Sequence, residues 1–437
     1  MQRRETDWRT VLLAIGAAGG AVLAFGAAAV LVLYSALDLT RLQLLKSGRA
    51  DIQTAVAVGT LTVIGMAFLP ALFYSMRRLL GGEVPAAKPG RLRIWQAVLL
   101  ILAWLGAAAG AGFLFDKPIV KWVTPILYAL AICVPVYFFV RLATGGLNPG
   151  SRERLWGALA AGIGLGITPA MVAELLLALV ALVGVGIYVS LHPEQLAALQ
   201  RLVDQLKTSN DIEQVLTLAG PLLTSPFALL LALVFFSVLS PLIEEIAKSL
   251  TTWAVFDRLK SPAQGFAIGA ISGAAFGLVE SLLVSATPDI GWTSTLLVRG
   301  ASTMMHIMSA SLTGWGIAAL RTQKSVGRLI GLYALAIGLH GAWNASVVVI
   351  TFGSVRSALS PGRPDPVGLI MMYLGAAVLA VLCLAIPLAM AGINWRFRRL
   401  AEAAALWHDV SVPSESPADV ETRNQAEGVP SPPAPLL

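Results

Sequence analysis

Residues 11–37 read VLLAIGAAGGAVLAFGAAAVLVLYSAL, a run without a charged side chain. At ~1.5 Å per helical residue, such a run crosses the roughly 30 Å hydrocarbon layer of a bilayer. It is continuous rather than alternating, and rich in Ala, Leu and Gly, which sets strands aside. Arg3, Arg4 and Arg9 precede it as in a signal peptide. The run is too long for the apolar region of such a peptide, so it is expected to be a retained first span.

The same pattern recurs outward along the chain. Spans are expected near 10–36, 54–76, 94–115, 122–142, 156–190, 226–256, 263–286, 297–320, 328–352 and 367–393. Of the 437 residues, 57% are hydrophobic and 13% charged. An ordinary soluble domain carries about 25% charged residues, so there are too few here to coat a water-facing surface. The fold expected is all-α, a polytopic transmembrane helical bundle of about ten spans lying in the lipid bilayer. Lys and Arg favour alternate loops by roughly two to one, which places both termini in the cytoplasm. The net charge of +7 is therefore a topology signal. No basic stretch is interleaved with aromatics in a soluble segment, so nucleic acid is not an expected partner. Cys133 and Cys383 fall within apolar spans as small hydrophobes.

Five regions follow: five N-terminal spans of unassigned role (1–190), an outer loop with an amphipathic helix (191–225), a four-span core (226–352), a last span with a basic boundary (353–399), and a disordered tail (400–437). The amphipathic stretch, Glu194–Lys207, is suited to an interface. Within 156–190 the Thr168-Pro169 pair interrupts a long run. One kinked pass is preferred to two short ones, because two would put Arg321–Arg328 and Arg396–Arg399 outside. His192 is taken as a loop residue, and no internal repeat is evident.

Charges in hydrocarbon cost several kcal/mol, which makes intramembrane ionisable residues the informative ones. They are Glu174, Glu244, Glu245, Lys248, Glu280, His306 and His340, with Asn344 as a polar companion. All but Glu174 fall in four consecutive spans, at overlapping depths that permit one shared site. Glu174 has no partner in its own span and is left as a satisfied interhelical polar group. In Ser-Pro-Leu-Ile-Glu-Glu-Ile-Ala-Lys (240–248), Glu244 and Lys248 share a face, while Glu245 points about 100° away. Pro241 removes a backbone donor and should kink that helix. Gly265, Gly269, Gly273 and Gly277 form a four-residue ladder that admits a close neighbouring helix. His340 and Asn344 share a face and can both donate to one oxygen.

Glu244-Glu245-Ile-Ala-Lys248, Phe276-Gly-Leu-Val-Glu280, His306 with its downstream small residues, and Leu339-His340-Gly-Ala-Trp-Asn344 resemble four successive motifs of the PrsW-type proteases. That family belongs with the CAAX prenyl proteases in a wider membrane protease superfamily. The likeness covers roughly 226–352. Ser281 stands where many relatives have Asn, and Ala310 where a Gly is usual. The resemblance implies an enzyme of the bacterial plasma membrane that hydrolyses peptide bonds in membrane-associated protein substrates, in the manner of stress signalling through anti-sigma-factor cleavage.

Amide hydrolysis needs an activated water, a stabilised oxyanion and a proton donor. Glu244 is expected as general base, with Glu245 as second choice, and Lys248 keeping the carboxylate ionised. Glu280 or His306 would orient the water, and His340 and Asn344 would donate to the oxyanion. No Ser or Cys stands beside a base, and no His-Glu-x-x-His helix occurs, so covalent and thermolysin-like routes are not favoured. A Zn2+ variant held by Glu244, Glu280, His306 and His340 stays open beside a cofactor-free one. Two other classes compete. Intramembrane Glu, His and Lys also serve ion- or proton-coupled transporters, though no paired broken helices are seen. The third reading is an inactive scaffold of the same fold.

Overall fold

A computed structural model of the chain describes residues 7–39, 48–87, 90–115, 117, 123–208, 220, 224–288, 291–360 and 365–411. Among these, every extended element is a helix, with one isolated β-bridge between Ala86 and Ser151. The helices are α1 (Trp8–Leu39), α2 (Gly48–Leu79), α3 (Ile94–Leu114), α4 (Thr124–Thr144), α5 (Arg152–Ala161), α6 (Thr168–Ser190) and α7 (Pro193–Thr208). They continue as α8 (Pro226–Val234), α9 (Ser240–Trp253), α10 (Pro262–Val284), α11 (Trp292–Gln323), α12 (Val326–Ala358) and α13 (Pro366–Ser411).

Nine of the ten expected spans are long and apolar enough to cross a membrane among the described residues. The exception is α11, as long as its neighbours but studded with Thr, Ser and His. Its polarity has a packing cause: most of α11 is buried among α10, α12 and α4, so it meets protein rather than lipid. A span that meets mostly protein need not be apolar on every face.

The 156–190 span is one pass. It runs continuously from Arg152 to Ser190 through a π-helical turn, Gly162–Ile167, placed directly before Pro169. A second π-helical turn, Phe235–Leu239, joins α8 to α9 directly before Pro241. In both, proline's missing N–H is absorbed by widening the turn before it, the expected origin of a local kink.

Packing centres on α10 against α11. A Cβ on Gly265, Gly269 or Gly273 would stand 2.3, 2.0 and 2.2 Å from the carbonyl oxygens of Gly314, Ala310 and His306, so the backbones touch. This is the close approach expected of the ladder, and it fixes the depth of His306. The Ala310 methyl fits because Gly273 opposes it.

The five N-terminal spans pack onto this core. Tyr128 of α4 donates to the carbonyl of Leu282 and stacks on Trp292 with centroids 5.6 Å apart. At the start of α1, Arg9 Nη1 reaches Asp257 at 2.6 Å and Arg258 Nη2 returns to Asp7 at 2.7 Å. The first span is thus tied to the turn that follows α9. Thr10 Oγ1 also donates to Glu153 of α5 at 2.8 Å.

The outer helix α7 is present at Pro193–Thr208, while 209–219 and 221–223 lie outside the described residues. At the other end, the tail was expected to be disordered from 400, but α13 continues to Ser411. The stretch Ala-Glu-Ala-Ala-Ala-Leu (401–406) has strong helix propensity and prolongs the span. Residues 412–437 lie outside the described residues.

Candidate active site and metal centre

Four helices bring their ionisable side chains to one place inside the bundle. From α9 come Glu244, Glu245 and Lys248; from α10, Glu280; from α11, His306; and from α12, His340. Glu245 and Lys248 are fully buried, and His306 and His340 are 1% exposed. The sequence pairs Lys248 with Glu244, but its ammonium serves both carboxylates. Nζ stands 3.1 Å from Glu244 Oε2 and 2.8 Å from Glu245 Oε1. It also lies 4.4 Å from the Phe276 ring centroid, which gives the buried cation an aromatic face.

Each imidazole has one nitrogen committed to a carboxylate. His340 Nδ1 is hydrogen-bonded to Glu245 Oε1 at 2.9 Å, an oxygen that also receives the Ser309 hydroxyl at 2.8 Å. His306 Nε2 lies 2.7 Å from Glu280 Oε2. The remaining nitrogens both turn toward Glu244. His306 Nδ1 faces Glu244 Oε2 at 3.8 Å, and His340 Nε2 faces the same oxygen at 3.7 Å.

Three possible ligand atoms therefore converge, and the carboxylate oxygen among them also lies 3.1 Å from Lys248 Nζ. Glu244, His306 and His340 each offer one ligand atom within 4.8 Å of the others, a group that can hold a metal ion. Donors around tetrahedral zinc stand ~3.3–3.5 Å apart, given bonds of ~2.0–2.1 Å. The spacing here is a few tenths of an ångström wider on two edges. Among the described residues, Glu244 Oε2, Glu245 Oε2, Glu280 Oε2, His306 Nδ1, and Arg299 Nε and Nη2 are buried without an aligned hydrogen-bond partner. They make up half of all such atoms there. Of these, Glu244 Oε2 and His306 Nδ1 belong to the converging group, and buried polar atoms are normally satisfied, so the pair has room for a polar ligand. The residues fit a divalent cation.

Of the four residues expected as zinc ligands, three converge in this way. Glu280 differs: it sits on the far nitrogen of His306, where Arg299 Nη2 also reaches its Oε2 at 2.8 Å. Asn344 is engaged elsewhere, donating Nδ2–H to the Phe236 carbonyl at 2.8 Å. That carbonyl belongs to the π-helical turn before Pro241, whose missing N–H leaves it available.

The sequence reading passed over three participants. Ser240 Oγ bridges Glu244 Oε1 (3.0 Å) and Glu174 Oε1 (2.5 Å), so Glu174 does have a partner, on another helix. Ser309 holds Glu245, and Arg299 holds Glu280. Each lies three, four or seven residues from a motif residue, hence on its helix face; that spacing was the available signal. Ser281, where relatives often have Asn, donates to the Arg299 carbonyl at 3.1 Å and so ties α10 to α11 beside Glu280.

The centre is a buried carboxylate–imidazole cluster inside an all-helical, multi-pass bundle. Residues 173–382 match the family model described as PrsW family intramembrane metalloprotease, and the match supports an intramembrane protease of the PrsW family. The matched region is wider than the motif-bearing spans and takes in α6 with Glu174; α1 to α5 lie outside it. No curated protein and no solved structure matches the chain.

Proposed function

We propose that this protein is a metal-dependent intramembrane endopeptidase in which Glu244, His306 and His340 hold a divalent cation, Zn2+ by the chemistry of the donor set. The carrying observation is the convergence of two imidazole nitrogens on one carboxylate oxygen. Such an ion supplies Lewis acidity toward a water molecule and the scissile carbonyl. The chain's own residues do the rest. Glu245 orients His340 and Glu280 orients His306, as outer carboxylates do at histidine metal sites. Lys248 sets one ammonium against the Glu244 and Glu245 carboxylates, at 3.1 and 2.8 Å. Glu280, with 27% of its side chain exposed, is the carboxylate placed to meet entering water. Asn344 fixes the kink above Glu244. Substrates are membrane-associated proteins, and the resemblance extends this to single-pass proteins such as anti-sigma factors.

A second reading makes Glu244 itself the general base, with no metal. One observation favours it: the Ser240 hydroxyl connects Glu244 to Glu174, a path along which an abstracted proton can leave. Metal analysis of the purified protein separates the two. Stoichiometric zinc, lost in Glu244→Gln with loss of cleavage, supports the metal reading. Cleavage that survives exhaustive chelation by metal-free protein overturns it and leaves Glu244 as base.

A further inference from the structure

His340 is backed by a chain of three groups: imidazole Nδ1, the Glu245 carboxylate and the Lys248 ammonium, with contacts of 2.9 and 2.8 Å. His306 is backed by the same sequence of chemistries. Its Nε2 lies 2.7 Å from Glu280 Oε2, and that oxygen lies 2.8 Å from the Arg299 guanidinium. Arg299 and His306 are seven residues apart on α11, two turns along one face, and Glu280 of α10 stands between them.

We propose that Arg299 is a positioning residue, the counterpart of Lys248 for the second imidazole. By fixing the Glu280 carboxylate beside Nε2, it favours the Nε2–H tautomer of His306 and so presents Nδ1 to Glu244. This rests on the metal reading for its consequence, but not for the tautomer itself. Arg299 is not an incidental ion pair at a span edge. Its side chain is 18% exposed, its Nε and Nη2 are buried, and Nη2 forms the ion pair with Glu280. The turn that carries it is anchored to face Glu280, because Ser281 and Ser302 both donate to its carbonyl, at 3.1 and 2.9 Å. Without the guanidinium, the Glu280 carboxylate is no longer fixed beside Nε2, and the preference for that tautomer is lost.

The chain has four histidines, His192, His306, His340 and His408, so ¹⁵N-imidazole labelling gives a readable spectrum. His306→Asn assigns the resonance. The full-length protein in detergent, free of metal and at neutral pH, should show His306 as Nε2–H. Arg299→Gln should lose that preference, and Arg299→Lys should keep it. In parallel, Co2+ binding should weaken about 10–100-fold in Arg299→Gln, with the Lys variant close to wild type. A wild-type His306 protonated on Nδ1 overturns the proposal at once, whether or not the Gln variant folds. So does a folded Arg299→Gln protein with wild-type tautomer and wild-type Co2+ affinity. Wild-type protein that binds no Co2+ but shows the expected tautomers would sink the metal reading and leave the role of Arg299 standing.

Discussion

His340 Nδ1 and Glu245 Oε1 are hydrogen-bonded at 2.9 Å, and that contact decides which face of the imidazole is free. With Nδ1 committed, Nε2 looks toward Glu244 Oε2. Glu245, adjacent to Glu244 in sequence, therefore works from the opposite side of the ring. Adjacent glutamates on a helix point about 100° apart, and the site uses that angle: one carboxylate inside the donor set and one behind it.

Replacing Glu245 by Gln keeps the shape but removes the charge behind His340. Metal affinity should fall about 10–100-fold, and cleavage with it. Isothermal titration of metal-free protein with Zn2+ measures this. Unchanged affinity would show that Glu245 is only a buried structural acid.

Lys248→Met leaves two buried carboxylates without their shared cation. Breaking a buried charge group in this way costs about 3–5 kcal/mol. The melting temperature in detergent should drop sharply and recover in part with Zn2+, because a bound cation restores the missing charge. Glu244→Gln tests the same balance from the other side, and its melting temperature should no longer rise with Zn2+.

Asn344→Leu removes the donor to the Phe236 carbonyl and leaves a polar backbone atom unpaired at the kink. A loss of about 1–3 kcal/mol in stability is expected. Zinc stoichiometry should stay at the wild-type value, since Asn344 is outside the donor set. Loss of the metal in this variant would place Asn344 among the ligands.

Gly273→Leu forces a side chain into the His306 carbonyl, where even a Cβ would stand 2.2 Å away. Overpacking of this kind costs about 1–3 kcal/mol, occasionally more. Activity should fall further than stability, because α11 and His306 must shift. A Leu variant with wild-type cleavage would mean that the two helices separate freely.

The clamp between Asp7–Arg9 and Asp257–Arg258 should respond to acid. The hydrogen bond from Arg9 holds the Asp257 carboxyl below its ordinary value; burial opposes this weakly. At Asp7 burial pushes upward, but the hydrogen bond and charge of Arg258 prevail and the net shift is downward. Both folded values are depressed, so the contribution is complete above the unfolded carboxylate range near pH ~4. It is lost as pH falls through the lower folded values. Exposure and screening keep each pair below about 1 kcal/mol. Arg9→Ala should therefore lower the melting temperature slightly at neutral pH and low salt, and not at all in strong acid.

Several features were legible in the amino-acid order because they depend on one helix at a time. Continuous apolar runs announce spans, since hydrocarbon admits no unsatisfied backbone and few charges. The four-residue glycine ladder announced a close neighbour, and Pro169 and Pro241 announced local kinks. The grouping of Glu244, Glu280, His306 and His340 at overlapping depths was also readable, because rise per residue converts position into depth.

What only the tertiary structure decided is how neighbouring helices are turned toward one another. Periodicity gives the face of a residue on its own helix, but not the rotation of the next helix about its axis. Hence Glu280 meets the far nitrogen of His306, Asn344 meets a kink carbonyl, and Arg299 and Glu174 acquire partners from other helices. The polar α11 likewise crosses the interior because α4, α10 and α12 enclose it. Those outcomes belong to packing, where backbone contact at the glycine ladder and side-chain volume set the rotation of each helix.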